Sequence, residues 1–225
     1  MAAFFLRKYM TPERYENLKQ VLSLRQLDLT VLMDGVHKPH NFNAIIRTCD
    51  AVGVFGAHYV PVKGGYKPFS ITAKGSQKYV EAKKHLKVTD AVEELKGKGM
   101  QVLAAHLSDE AVDFRTIDYT KPTAVVMGSE LRGIEKETAA LVDQHITIPM
   151  MGMVESLNVS VACAVILHEA QQQRLNAGMY KERSLADKDY ERLLFEWSWP
   201  KIARLCRRLN RPYPLLNKDG DFNKF

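Results

Sequence analysis

Short runs of β-branched and apolar residues alternate with helical patterns through the middle of the chain. The runs predict strands at residues 29–33, 57–62, 100–105, 123–128 and 145–150, with a less clear strand around 79–85. The intervening patterns predict helices that begin near Asn41, Thr89, Ile134 and Leu157. This alternation is typical of an α/β fold, in which a mainly parallel sheet carries helices on both faces.

The last of these helices has an unusual distribution of apolar residues. From Leu157 to about Asn176 it begins apolar on nearly every side and then turns polar. A helix segment that is apolar all round is buried, so we expect its first half to lie in the core. Gly178 is a suitable stop signal.

Two flanking segments are predicted to form helical arms. In the first, Thr11 and Pro12 form a helix start, and Tyr15, Leu18 and Leu22 make an apolar stripe. In the second, Pro200 opens a basic amphipathic helix, and its charged face holds Lys201, Arg204, Arg208 and Arg211. The expected organisation is an N-terminal helical arm over 1–28, a core over 29–178 and a C-terminal basic helical arm over 179–225.

Composition narrows the class of protein. The chain has 225 residues with 46% hydrophobic and 26% charged residues, which suits one soluble domain with appendages. No apolar run is long enough for a membrane span, and the N-terminal stretch is interrupted by Arg7 and Lys8, so we expect a cytoplasmic protein with no membrane partner. The three cysteines are scattered, and His37 and His40 lack a third ligand, so no metal site is predicted.

The net charge of +6 is unevenly distributed. Basic residues outnumber acidic ones by five to three in 1–28, by seven to one in 63–87 and by twelve to seven in 174–225, whereas the remainder is acidic. Basic arms on an acidic body indicate a polyanion held through its phosphates. Solvated charges that keep the protein soluble are the alternative on charge alone.

Polar residues cluster at three junctions where a predicted strand leads into a helix, which is where open α/β sheets bind ligands. The junctions are HKPHNFNAIIR (37–47), MGSELRG (127–133) and IPMMGMVESLN (148–158). No G-x-G-x-x-G or G-x-x-x-x-G-K-[ST] pattern follows a strand, so dinucleotide and P-loop sites lack support.

In their order and spacing, the three junctions resemble the signature motifs of the SPOUT superfamily, and within it the TrmH family of RNA ribose 2′-O-methyltransferases. The resemblance runs from about Thr11 to about Pro214 and rests on N-x-x-x-x-x-R, G-x-E-x-x-G and I-P-M-x-G-x-x-x-S-L-N-V-S-V-A. It implies S-adenosylmethionine as methyl donor, a deep trefoil knot in the C-terminal part of the core, and a homodimer with active sites at the subunit interface. General folding rules alone would argue against a knot.

The resemblance assigns Arg47 as the catalytic residue that activates the ribose hydroxyl. From the residues alone, a surface ion pair between Arg47 and Asp50, three positions later, is the favoured interpretation, and the resemblance reverses it. A 2′-hydroxyl needs either a base or stabilisation of its alkoxide, and a guanidinium with a pKa above 12 is an awkward base. Both roles for Arg47, base and alkoxide stabiliser, therefore stay open.

Four further residues join the catalytic set by resemblance, and each has a plainer structural explanation. Asn41 lies where a helix N-cap belongs. Glu130 suits the first turn of a helix, where the dipole favours a carboxylate. Ser156 and Asn158 precede the apolar helix and would satisfy its free N–H groups. The resemblance places all four in the active site, with Glu130 positioning the arginine or the substrate across the dimer.

Cofactor contacts are expected mostly from backbone atoms in the knot loops, which the resemblance assigns to Ala105, Gly128, Ile148 and Leu157. The resemblance implies RNA rather than DNA as the partner, contacted by both arms. Its extent, together with the two helical arms, favours tRNA as substrate, with the ribose of guanosine 18 in its D-loop as target. Ribosomal RNA or the tRNA wobble nucleotide is the alternative target, and a non-catalytic RNA-binding protein of the same fold is the alternative from another class.

Overall fold

The computed structural model describes residues 10–62 and 78–222. It divides the chain into two compact units, one made of Gln26–Met179 and the other of the described parts of Met1–Arg25 and Tyr180–Phe225. The first unit contains the whole sheet, and the second contains the helical arms.

The sheet confirms the predicted α/β class. Every pairing in it is parallel, and its spatial order is β3-β2-β1-β6-β4-β7-β5. The two-residue strand β5 was not predicted, because two residues carry no periodicity. The strands are β1 (Leu29–Asp34), β2 (Gly56–Val60), β3 (Glu81–Lys84), β4 (Gln101–Ala105), β5 (Val112–Asp113), β6 (Thr123–Met127) and β7 (Gln144–Thr147).

Several strands end earlier than their apolar pattern suggested. Gly128 follows β6 as a loop residue, and residues 148–150 follow β7 in the same way. These residues continue the apolar run without continuing the hydrogen-bonded ladder, because the chain leaves the sheet there to form the loops of the site.

The helices of the described chain are α1 (Pro12–Ser23), α2 (Pro39–Ala51), α3 (Val88–Gly97), α4 (Lys136–Ala139), α5 (Val159–Asn176), α6 (Asp187–Ser198) and α7 (Pro200–Arg208), with a 3-10 turn at Phe114–Thr116. Sequence reasoning missed α6, although Tyr190, Leu193, Leu194 and Trp197 have helical spacing.

Helices cover both faces of the sheet. On one face α2 and α5 pack over Val31 and Met33 of β1, and on the other α3 packs over Leu32. Successive side chains of a strand point to opposite faces, so β1 supplies both cores from alternate positions and is buried from Leu29 to Met33.

The prediction that the first half of α5 is buried was wrong for the single chain. Val161 is 47% exposed, and the fully buried positions begin at Cys163. Val159 and Ala162 pack only partly against the core, because the sheet covers one side of these turns and leaves the other side open. The predicted stop was confirmed, since α5 ends at Asn176 and Gly178 has a φ of +76°.

Near its end, α5 carries a fully buried charge. Arg174 donates from Nη1 to the side chains of Gln26 at 3.0 Å and Asp28 at 2.5 Å, and from Nε to the carbonyl of Tyr119 at 2.9 Å. Burial of an unpaired guanidinium would be costly, so these bonds hold residues 26–28 to the core. They explain why the core unit begins at Gln26 rather than at residue 29.

In the second unit, α1 begins and packs as predicted. The Thr11 hydroxyl caps α1 by accepting from the Arg14 N–H, and Tyr15, Leu18 and Leu22 are buried. The indole of Trp199 donates to the carbonyl of Gly220 at 2.8 Å. A Cβ at Gly220 would lie 2.5 Å from the Tyr15 ring, so the C-terminal segment closes tightly over α1.

Lys201, Arg204, Arg208 and Arg211 are all exposed, although α7 ends at Arg208 and Arg211 therefore follows the helix. Much of the basic segment 63–87 lies outside the described residues, as do residues 1–9. In the part of the chain that the structure describes, none of the helices has the length and hydropathy needed to cross a membrane.

Candidate active site

The loops that follow β4, β6 and β7 surround one cavity of about 600 Å³, called the inner cavity below. All four predicted cofactor residues line it, as do three of the five predicted catalytic residues. These lining residues are Ala105, Gly128, Ile148 and Leu157, with Glu130, Ser156 and Asn158. Parallel strands end together at one edge of a sheet, so loops that are distant in sequence converge there.

Glu130 lies at the centre of a hydrogen-bond network beside this cavity. Its Oε1 accepts from Asn41 Nδ2 at 2.8 Å and from the backbone N–H of Lys38 at 3.1 Å. Its Oε2 accepts from the backbone N–H of His37 at 3.2 Å and lies 2.7 Å from His37 Nδ1. The carboxylate therefore ties the loop after β6 to the loop after β1.

These bonds determine the charge state of Glu130. Its side chain is only 7% exposed, and burial by itself would raise its pKa. The hydrogen bonds from Asn41 and from the backbone of His37 and Lys38 outweigh burial, so the pKa of Glu130 is lowered. A carboxylate held ionised by several donors is suited to positioning its neighbours rather than to donating a proton.

The loop that carries Glu130 explains the G-x-E-x-x-G spacing. Ser129 and Gly133 exchange two backbone hydrogen bonds of 2.9 Å, and Gly133 has a φ of +63°. A Cβ on Gly128 would lie 2.3 Å from the backbone of Gly133, so only glycine fits there. The suggestion that Glu130 lies in a helical first turn was wrong, because α4 begins only at Lys136.

Asn41 does not cap its helix. Helix α2 begins two residues earlier at Pro39, with Lys38 at the N-cap position. Proline is favoured at a first helical position, which moves the start of α2 and places Asn41 inside its first turn. Asn41 is 1% exposed, and its amide bridges the network by donating to Glu130 and accepting from Asn158 Nδ2 at 3.2 Å.

Asn158 caps its helix, as its sequence position suggested, and also bonds to Asn41. As the N-cap of α5 it accepts through Oδ1 from the backbone N–H of Ser160 at 2.9 Å, and its amide nitrogen donates to Asn41. Ser156 is exposed and lines the inner cavity without capping the helix. The start of α5 is therefore joined to the start of α2 through two asparagines.

Arg47 is separate from this network. It lies six residues after Asn41 on α2, which places it about 120° away around the helix, and its side chain is exposed. Arg47 does not form the ion pair with Asp50. It makes no hydrogen bond to any residue in 10–62 or 78–222. The structure thus brings Asn41, Glu130 and Asn158 together and leaves Arg47 on the surface.

Sequence reasoning placed His37 at the start of the first junction and weighed it with His40 as a metal pair, but assigned it no role in the site. The imidazole of His37 instead bonds to Glu130 through Nδ1. Its place in the loop directly after β1 was the signal that could have indicated a role in the site. Within the described residues, no group of three or more His, Cys, Asp or Glu side chains is arranged to hold a metal.

Comparison with known proteins gives the family. The model of the SpoU rRNA Methylase family matches residues 28–168, and the model named SpoU, rRNA methylase, C-terminal matches residues 172–224. The chain is 54% identical over 214 residues to the tRNA (guanosine(18)-2'-O)-methyltransferase of Escherichia coli (strain K12), which covers 94% of this chain and 93% of that protein.

Solved structures agree. The A. aeolicus TrmH/SpoU tRNA modifying enzyme matches with a TM-score of 0.78 and 44% identity, over 84% of this chain and 97% of the other. The AdoMet-bound rRNA methyltransferase from Sinorhizobium meliloti matches with a TM-score of 0.56 and 31% identity, over 69% of this chain and 59% of the other. The resemblance seen in the motifs is confirmed, and the chain belongs to the SpoU rRNA methylase family.

Proposed function

We propose that this protein transfers the methyl group of S-adenosylmethionine to the ribose 2′-hydroxyl of guanosine 18 in tRNA. The observation that carries the proposal is the inner cavity, where residues from all three motifs meet around Glu130. Relatives that resemble the chain over nearly its whole length are named for this reaction.

The inner cavity fits the proposed cofactor. Ile148 and Leu157 offer apolar surface for an adenine ring, and a site of this volume suits a small organic ligand. Among the described residues that line the cavity, Glu130 and Glu155 are acidic and Lys38 is the single cation. This excess of negative charge complements a sulfonium. When bound, S-adenosylmethionine would supply an electrophilic methyl group, which already reacts readily with an oxygen nucleophile.

The residues of the chain must then make the ribose oxygen reactive. We assign this task to Arg47, whose exposed guanidinium is available to a phosphate or to a developing alkoxide. Because a guanidinium stays protonated at neutral pH, stabilisation of the alkoxide suits it better than removal of the proton. Asn41, Glu130 and Asn158 hold the loops in register, and Ser156 offers a hydroxyl at the mouth of the cavity.

We further propose that the chain acts as a homodimer in which Arg47 of one subunit serves the inner cavity of the other. The first turns of α5 support an interface, because Val161, Ala164, Val165 and His168 form one stripe and Val161 is 47% exposed. Met151 and Met153 in the preceding loop are 94% and 100% exposed. Apolar surface of this extent on a helix and its adjoining loop is typical of a protein contact.

The proposal also includes the knot, the contacts of the basic residues with tRNA, and the cytoplasmic location. The deep trefoil knot is consistent with the convergence of the loops after β4, β6 and β7 on one cavity. The exposed basic residues around α7 suit contacts with tRNA phosphates, which position an RNA without reading its bases. A tRNA substrate is consistent with action in the cytoplasm.

The test of the proposed function is direct. Purified protein is incubated with radiolabelled S-adenosylmethionine and an unmodified tRNA transcript, and the labelled nucleotide is mapped after nuclease digestion. Label on the ribose of guanosine 18 is the expected result. Label on another tRNA nucleotide, or on ribosomal RNA only, would overturn the assignment of the target and retain the chemistry. No label on either RNA, from protein that binds the cofactor, would overturn the enzyme assignment.

A further inference from the structure

A second cavity of about 1000 Å³ adjoins the inner cavity, and we call it the outer cavity. It opens at the carboxyl ends of β1 and β2. The two cavities share Ser129, Leu131 and Gly133, so the Glu130 loop is the wall between them. The two residues whose backbone N–H groups bond to Glu130 line different cavities. His37 lines the outer cavity, and Lys38 lines the inner cavity.

The outer cavity combines apolar surface with a recessed carboxylate. Val62, Leu86 and Leu131 line it and are 43%, 83% and 82% exposed. Apolar side chains this exposed, around a concave surface, offer planar contact to a flat ring. Asp34, at the carboxyl end of the interior strand β1, supplies the carboxylate.

Among the described residues, only one oxygen of the Asp34 carboxylate has a hydrogen-bond donor. Its Oδ2 accepts from the hydroxyl of Thr138 at 2.6 Å, and no residue of the described chain donates to its Oδ1. Burial, followed by the nearby carboxylates Glu135 and Glu137, raises the pKa of Asp34. A desolvated carboxylate with a free oxygen gains from a ligand that brings N–H donors.

We propose that the outer cavity receives the guanine base of the target nucleotide and that Asp34 reads its N1–H and 2-amino groups. The inference rests on the proposed function, because it places the base beside the cavity that holds the methyl donor. Enzymes that act on one nucleotide turn it out of its stack and read its Watson–Crick edge within an apolar pocket. The wall shared by the cavities then lies beside the ribose.

The test pairs a change in the protein with a change in the base. Wild-type protein, Asp34→Asn and Thr138→Val are each assayed under single-turnover conditions with tRNA containing guanosine or inosine at position 18. Inosine keeps N1–H and lacks the 2-amino group. Comparison of the guanosine-to-inosine rate ratio between proteins cancels any effect of inosine on the tRNA itself.

Wild-type protein is expected to methylate guanosine at least about tenfold faster than inosine, because one well-placed hydrogen bond to a base gives discrimination of that size. Asp34→Asn should bring the ratio close to one, whereas Thr138→Val, which disturbs the same bond and keeps the carboxylate, should retain the wild-type ratio. Equal ratios in wild type and Asp34→Asn would overturn the inference. Absence of methyl transfer to guanosine 18 by wild-type protein would instead refute the proposed function.

Discussion

Asn41 and Glu130 are 89 positions apart in the chain, yet the amide nitrogen of Asn41 donates to Glu130 Oε1 across 2.8 Å. This contact exists because β1 and β6 are neighbours in the sheet, so the loops that follow them meet at one edge. The same amide accepts from Asn158, so the three motifs of the sequence are joined through Asn41.

Asn41→Asp tests the importance of that contact. The substitution keeps the shape of the side chain and places a second carboxylate against Glu130, so the two acceptors repel each other. We expect kcat to fall by about 100-fold or more, because the loops lose their register. The measurement is single-turnover methylation of tRNA. Asn43→Asp on the same helix is the control, and equal activity of the two variants would contradict the prediction.

Arg47→Ala should abolish methyl transfer and leave cofactor affinity nearly unchanged, because Arg47 does not line the inner cavity. If Arg47 serves the partner's cavity, mixing Arg47→Ala with Glu130→Gln subunits should restore about half of wild-type activity per mixed dimer. Each mixed dimer has one intact active site and one site that lacks both side chains. If the subunits are shown to exchange between dimers and activity does not recover, the shared site is refuted.

The exposed basic residues around α7 predict a salt-dependent contribution to tRNA binding. Neutralising Arg204, Arg208 and Arg211 together should weaken binding and reduce the slope of log K against log salt by about two to three, since fewer counterions are released. Arg207→Gln is the matched control, because Arg207 is already paired with Glu196 at 3.0 Å. An unchanged slope in the triple variant would remove this segment from the RNA interface.

Gly128→Ala should disrupt the inner cavity. The added methyl would lie 2.3 Å from the backbone of Gly133, so the loop that carries Glu130 must move. We expect the free energy of unfolding to fall by about 2 kcal/mol or more and cofactor binding to weaken at least tenfold. Gly97→Ala, where a Cβ meets nothing within 4 Å, is the control and should retain both properties. Chemical denaturation and calorimetry measure them.

A buried histidine pair predicts a pH dependence of stability. His58 Nδ1 lies 2.8 Å from His85 Nε2, and burial, followed by repulsion from His85, lowers the pKa of His58 to about 4. The folded protein therefore excludes a proton that the unfolded chain binds below pH 6.5, so stability falls as pH drops from about 6.5 towards 4. The loss should reach roughly 3 kcal/mol at most.

His58→Gln should flatten that dependence in denaturation curves measured between pH 7 and pH 4.5. His40→Gln is the control, because His40 is exposed, and it should keep the slope of wild type. A slope that is the same in all three proteins would show that the pair does not control stability in this range.

The sequence by itself determined the class of fold and predicted which loops line the inner cavity. Alternating apolar runs report which face of each element is buried, so the strands and most helices could be located from periodicity. The motifs indicated which loops carry the chemistry, and all four predicted cofactor residues line the inner cavity. Boundaries were less certain where an apolar run continued past the sheet, as it does after β7.

Only the tertiary structure decided which side chains are partners. Asparagine is a common helix N-cap, but Asn41 instead bonds to Glu130. Arginine is usually a surface residue, but Arg174 is fully buried and bonds to Asp28. Local periodicity describes single elements, whereas these bonds depend on strand order, which brings together loops about a hundred residues apart. The wall between the two cavities has the same origin.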